Sequence, residues 1–170
     1  MKILLSLPES PFDCTNGAAR SMRTIAELMA AAGQQVLCIG TTAKEHSEKS
    51  DLVLSGCGQH YELERRRVMH HLIRTPGKST QNWRDQEAER TFDWVFQREI
   101  DTRPDLLLCY GGHPTDVKRY DRAKQAGVKI VFGLRNYGYQ KCGFFDFADG
   151  VITSSQFLTD WYRTRFGVES

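Results

Sequence analysis

The sequence has no apolar run approaching the roughly 20 residues that a membrane-spanning helix needs. Met1 to Leu7 is apolar but short, and Pro8, Glu9 and Asp13 follow it, so it reads as a first strand and not as a signal peptide. No C-x-x-C pair occurs among the 5 cysteines, Cys14, Cys38, Cys57, Cys109 and Cys142. Their odd number and wide spacing exclude zinc-ribbon and paired-redox readings. Neither sign of charge dominates: 23 Lys and Arg against 21 Asp and Glu leave a net charge of +2, which gives no global case for nucleic-acid binding. The G-x-G-x-x-G fingerprint of dinucleotide folds is absent, which argues against NAD. No flexible linker or low-complexity segment divides the chain, so its 170 residues read as one domain, long enough to bury a substantial core.

What the chain does contain is a repeated strand-then-helix pattern. Lys2 to Leu7 is a short apolar run of the kind a buried parallel strand shows. Ala18, Met22, Ile25, Ala26, Met29 and Ala32 then recur at helical spacing, and Gly33 ends that helix as a left-handed cap. Val36 to Gly40 is the next strand, and Asp51–Leu54 and Gln59–Leu63 are candidate short strands. A helix is expected from about Arg84 to Ile100, ended by Pro104. Asp105–Tyr110 and Val128–Leu134 read as strands on either side of a helix that begins at Pro114 and ends at Ala126-Gly127. Gly150–Thr153 is a last short strand, and Ser154 or Ser155 caps a final helix. The unit of helix, Ala-Gly and Val-rich strand occurs twice. Strands alternating with helices imply a Rossmann-like α/β fold, a three-layer sandwich around a mostly parallel sheet. Cys38 and Cys109 fall inside apolar strands, where a thiol acts as a small hydrophobe, and a reducing cytoplasmic compartment is the simplest setting.

In such a sheet, ligands bind beyond the carboxyl ends of the strands. The loop into the first helix ends in Asn16-Gly17-Ala18-Ala19-Arg20. Small residues at a helix amino terminus let an anion approach the backbone, and Arg20 adds a cation, so a diphosphate site and an ordinary tight turn are both open readings. Gly77-Lys78-Ser79-Thr80 looks like a P-loop tail, but Leu72 stands where that motif needs glycine. His113 follows a strand end and either faces the ligand crevice, as a base or sugar partner, or caps the helix begun by Pro114. Arg135, Asn136 and Tyr137 also follow a strand directly, a combination suited to sugar or phosphate recognition or to a polar loop over the sheet edge. Arg65 to Arg74 is a basic stretch that reads first as a solvated face, with attraction of an anionic acceptor or a lipid head group as the functional alternative. Phe144, Phe145, Phe147, Trp161 and Tyr162 read as core or inter-lobe packing.

Five segments together resemble the large retaining glycosyltransferase group known as family four, or glycosyl transferases group 1. Asn16–Arg20 and the helix to Gly33 resemble its Gly-Gly-x-Glu-Arg turn and first helix. Asp105–Gly112 is similar to its strand ending in a short glycine turn, and Lys129–Asn136 to its next strand. Asp149–Phe157 and Arg165–Val168 resemble its aspartate-apolar-Ser-Phe segment and the stretch before its second lobe. Asn16 replaces the first glycine and Ala19 the glutamate, and Arg135-Asn136 stands where a histidine often faces the reacting sugar.

The resemblance implies a GT-B architecture of two facing lobes, with this chain as the amino-terminal, acceptor-binding one and a carboxy-terminal donor lobe beyond Ser170. It implies sugar transfer from a nucleotide-sugar to a carbohydrate, lipid-linked or other hydroxyl acceptor. Neither a metal nor a cofactor is expected, nor a nucleic-acid partner, while the basic stretch admits peripheral membrane contact. Asn16, Gly17 and Arg20 would face the donor diphosphate; His113, Arg135, Asn136 and Tyr137 would contact acceptor or sugar. No catalytic residue is assigned within the chain, which alone would be inactive. Two other readings are a free-standing Rossmann- or flavodoxin-like module for a phosphorylated small molecule, and a non-catalytic interaction lobe.

Overall fold

The computed structural model describes residues 1–13, 16–42, 59–75, 86–139 and 145–168. The elements in chain order are β1 (Lys2–Ser6), α1 (Gly17–Ala31), β2 (Gln35–Thr42), β3 (His60–Arg65), β4 (Val68–Arg74), α2 (Gln86–Asp101), β5 (Leu106–Cys109), α3 (Pro114–Gln125), β6 (Lys129–Leu134), β7 (Gly150–Thr153) and α4 (Gln156–Phe166). The expected strand at 51–54, the P-loop-like segment at 77–80, Cys14, Cys57, Cys142 and Phe144 lie outside the described residues.

The strands form a 7-stranded sheet in the order β3-β4-β2-β1-β5-β6-β7. Every neighbouring pair is parallel except β3 with β4. The chain moves outward from β1 through β2 to β4, then returns to β5 on the other side of β1. The switch point therefore lies between β1 and β5, where an open α/β sheet leaves a crevice at its carboxyl edge. The fold is Rossmann-like, as the alternating pattern implies.

Side-chain alternation along the strands feeds two cores. On one face Ile3, Leu5, Cys38 and Leu108 pack with Met22, Ala26 and Ala30 of α1. On the other, Leu4, Leu107, Ile130 and Phe132 pack with Phe92, Val95 and Phe96 of α2 and Tyr120 of α3. Phe145, Phe147 and Tyr162 belong to or pack against this second core, as core packing requires. Cys38 and Cys109 are buried thiols, and burial pushes Cys38 up to about 12. Among the described residues no helix is long and apolar enough to cross a membrane.

The basic stretch is the main departure from expectation. Val68–Arg74 is not a solvated face but the buried strand β4, paired with β2 on one side and β3 on the other. Its histidines are buried, with burial holding both below the ordinary imidazole pKa, so they enter the sheet uncharged. The four arginines are exposed: Arg65 ends β3, Arg66 (φ 50°) and Arg67 (φ 64°) form a two-residue hairpin turn, and Arg74 ends β4.

Candidate functional site

The carboxyl edge of the sheet is shaped first by the segment after β1. The Thr41 hydroxyl donates to the Pro8 carbonyl at 3.2 Å, holding residues 8–11 across the end of β2. Gly40 is required there, because a Cβ would lie 2.7 Å from Pro11 Cδ. Gly111, after β5, has φ +108°, and a Cβ would meet Pro8 Cγ at 2.9 Å. Across the β1–β5 switch point the Tyr110 hydroxyl donates to the Glu9 carboxylate. Burial first, and the Glu9 charge second, push that phenol far above its ordinary range, so Tyr110 keeps its proton and donates a hydrogen bond to Glu9.

The start of α1 opens beside this pair. Asn16 has extended backbone and its side-chain oxygen accepts from the Ala19 N–H at 3.0 Å, an N-cap. Gly17 is exposed, and nothing lies within 4 Å of a Cβ built on it. Arg20 is exposed one turn in.

From β6, Arg135 folds back onto the same helix, its Nη2 3.3 Å from Met22 Sδ. Gly133 makes this approach feasible: strand alternation puts it on the same face, where a Cβ would sit 3.2 Å from Met22 Sδ and 3.6 Å from Arg135 Nε. Arg135 Nε is buried without a hydrogen-bond partner, and no described carboxylate lies within ion-pair distance of the guanidinium. Burial lowers its pKa, offset by Tyr110. A half-buried guanidinium lacking a carboxylate beside a helix amino-terminal half can receive an anion.

The other named residues are placed differently. His113 caps α3 on the opposite face of the sheet; its Nδ1 accepts from the Thr115 N–H at 3.3 Å. Asn136 closes a local turn, its side-chain oxygen accepting from the Gly138 N–H at 2.9 Å. Its carbonyl accepts from the Tyr162 hydroxyl at 2.9 Å, which ties the loop to α4. Tyr137 is exposed and stands edge-on to Trp161, 5.2 Å away between centroids. Ser155 caps α4, its hydroxyl accepting from the Leu158 N–H.

The structure thus brings Asn16, Gly17 and Arg135 to one helix, while His113 and Tyr137 begin or flank others. Sequence reasoning missed Glu9, Tyr110 and Gly133. Only Gly133 carried a signal, since its spacing of two from Arg135 puts both on one strand face.

No protein-family model matches the sequence, and no curated protein matches it. A solved structure described as "Trehalose-6-phosphate from E. coli bound with UDP-2-fluoro glucose" is similar at TM-score 0.43 and 9% identity, over 78% of this chain and 32% of that one. The chain therefore spans about a third of that structure. A likeness at that level carries no argument about activity or substrate, and the fold described above stands on strand order and register.

Proposed function

We propose that this chain is the acceptor-binding lobe of a GT-B type glycosyltransferase, which moves a sugar from a nucleotide-sugar to a hydroxyl acceptor when a donor-binding lobe faces its carboxyl edge. The observation that carries the reading is Arg135, a guanidinium without a described carboxylate partner folded against α1, whose amino terminus is capped by Asn16 and left open at Gly17. A departing nucleoside diphosphate carries negative charge. A helix amino terminus and a partly desolvated arginine stabilise that charge with little reorganisation, and the transfer step needs no metal. In this reading Gly17, Asn16 and Arg20 face the diphosphate. Arg135 moves from the acceptor side, where the sequence resemblance put it, towards the phosphates. His113 Nε2, Asn136 and Tyr137 remain the acceptor contacts.

The test is calorimetric titration of the longest natural form of the protein with UDP-glucose, GDP-mannose and ADP-glucose. Gly17→Glu is the informative variant. A carboxylate in the first helical turn favours the helix dipole and has open space, so the fold keeps its stability, while the same charge repels a phosphate. Nucleotide-sugar affinity should fall at least tenfold in both Gly17→Glu and Arg135→Gln. Affinity unchanged in both variants would move the phosphates elsewhere. Equal affinity of the long form and of this chain alone would favour the free-standing module.

A further inference from the structure

On the face of the sheet covered by α2, the β3–β4 hairpin gathers three side chains away from the β1–β5 crevice, with β2 intervening. His60 and Glu62 are two apart on β3 and share a face by strand alternation. Glu62 lies directly opposite His71 of β4. His60 Nε2 is 3.0 Å from His71 Nδ1, Glu62 Oε1 is 3.4 Å from the same nitrogen, and one ligand atom from each residue falls within a 4.8 Å cluster.

Two imidazole nitrogens at that spacing either share one proton or share one cation. Nitrogens each about 2.05 Å from a zinc ion and 3.0 Å apart subtend about 94° at the metal, an angle first-row ions accept. The other nitrogen of His71 faces a second carboxylate. Its Nε2 is 3.8 Å from Oε1 of Glu99, a buried carboxylate on α2. At 3.8 Å this is an ion-pair distance, and Oε1 also accepts from Arg98 Nε at 2.9 Å; a small turn of the carboxylate would bring it onto the ring N–H, where an outer carboxylate orients a ligating histidine. Arg98 currently supplies the positive charge facing these groups, its Nη2 3.2 Å from Glu62 Oε1 and 3.3 Å from His71 Nδ1. It is a long, part-exposed side chain set over the exposed Trp94 ring at 5.1 Å and bonded through Nε to Glu99 Oε1 at 2.9 Å, and a bound cation would displace its Nη2 from Glu62 and His71.

We propose that His60, Glu62 and His71 bind a divalent first-row cation, zinc by their two nitrogens and one oxygen, with Glu99 as the outer carboxylate. Three protein ligands leave a further position for water or an incoming group. The site is independent of the glycosyl-transfer reading.

The experiment is calorimetric titration of metal-stripped protein with Zn²⁺, repeated with Co²⁺ followed by its visible absorption. The expected result is one equivalent bound, with affinity lowered at least about tenfold in His60→Ala and in Glu62→Gln. Both variants change partly or fully exposed positions on the edge strand, and circular dichroism verifies the fold. Arg98→Ala, which removes the competing cation, should tighten binding severalfold. Failure of the wild-type chain to bind Zn²⁺, or undiminished affinity in His60→Ala and Glu62→Gln, would overturn the proposal in favour of a plain histidine–histidine hydrogen bond.

Discussion

Replacing His70 by leucine should alter how stability depends on pH more than it alters stability at neutral pH. His70 is fully buried on the α1 side of β4, its ring 4.9 Å from Phe12, and neither ring nitrogen has a hydrogen-bond partner. Burial foremost, then the charges of Arg23, Arg65 and His71, lower its pKa to about 4. An unfolded chain binds the proton near the ordinary value of about 6.5. The neutral ring's contribution is therefore complete above pH 6.5 and is lost as pH falls towards 4. Lowering the ring from about 6.5 to about 4 corresponds to about 3 kcal/mol, of which roughly 2 kcal/mol falls between pH 7 and pH 5. Urea midpoints of both proteins, measured from pH 7.5 to 4.5, isolate this component, because the carboxylates common to both cancel in the difference. At pH 7 His70→Leu should be at least as stable as the wild type, since two unsatisfied buried nitrogens disappear. By pH 5 the wild type should have lost roughly 2 kcal/mol more than the variant. Parallel curves would refute the argument and show that the buried ring titrates as it does in the unfolded chain.

Two further substitutions probe how the layers are held. Arg119 is fully buried, bonded to Glu89, Asp93 and Asp116 and set over Phe92 at 4.4 Å, so Arg119→Met should cost about 3–5 kcal/mol in urea unfolding by removing a buried cation from between three carboxylates. Arg67 sits at φ 64° in the β3–β4 turn, where an L-residue loses about 1–2 kcal/mol, so Arg67→Gly should raise the urea midpoint by the equivalent of about 1 kcal/mol.

The elements that the sequence makes legible share one property: their signal is local. Leu4, Leu5, Leu107 and Leu108 lie in uninterrupted apolar runs because parallel strands buried on both faces need nothing else. The Ala-Gly ends of α1 and α3 are equally visible, since Gly33 and Gly127 adopt φ +84° and φ +80° at helix ends, as a left-handed cap requires. β4 escaped notice because His70 and His71 count as polar in a pattern, whereas as neutral rings they line a core. The candidate site is legible only as positions. Asn16, Gly17, His113 and Arg135 follow strand ends, and a parallel sheet forces such ends onto one edge.

By itself, then, the sequence determined the Rossmann-like class, most of the elements and the edge on which a ligand would sit, because hydrophobic periodicity and cap chemistry act between residues a few positions apart. Tertiary structure alone decided the rest. Glu9 meets Tyr110 across 101 residues, Arg135 meets Met22 across 113, and His60 meets His71 only when the hairpin register aligns them. Those contacts depend on strand order, register and the choice of sheet face. Each is fixed by burying two cores at once, and no local pattern encodes that.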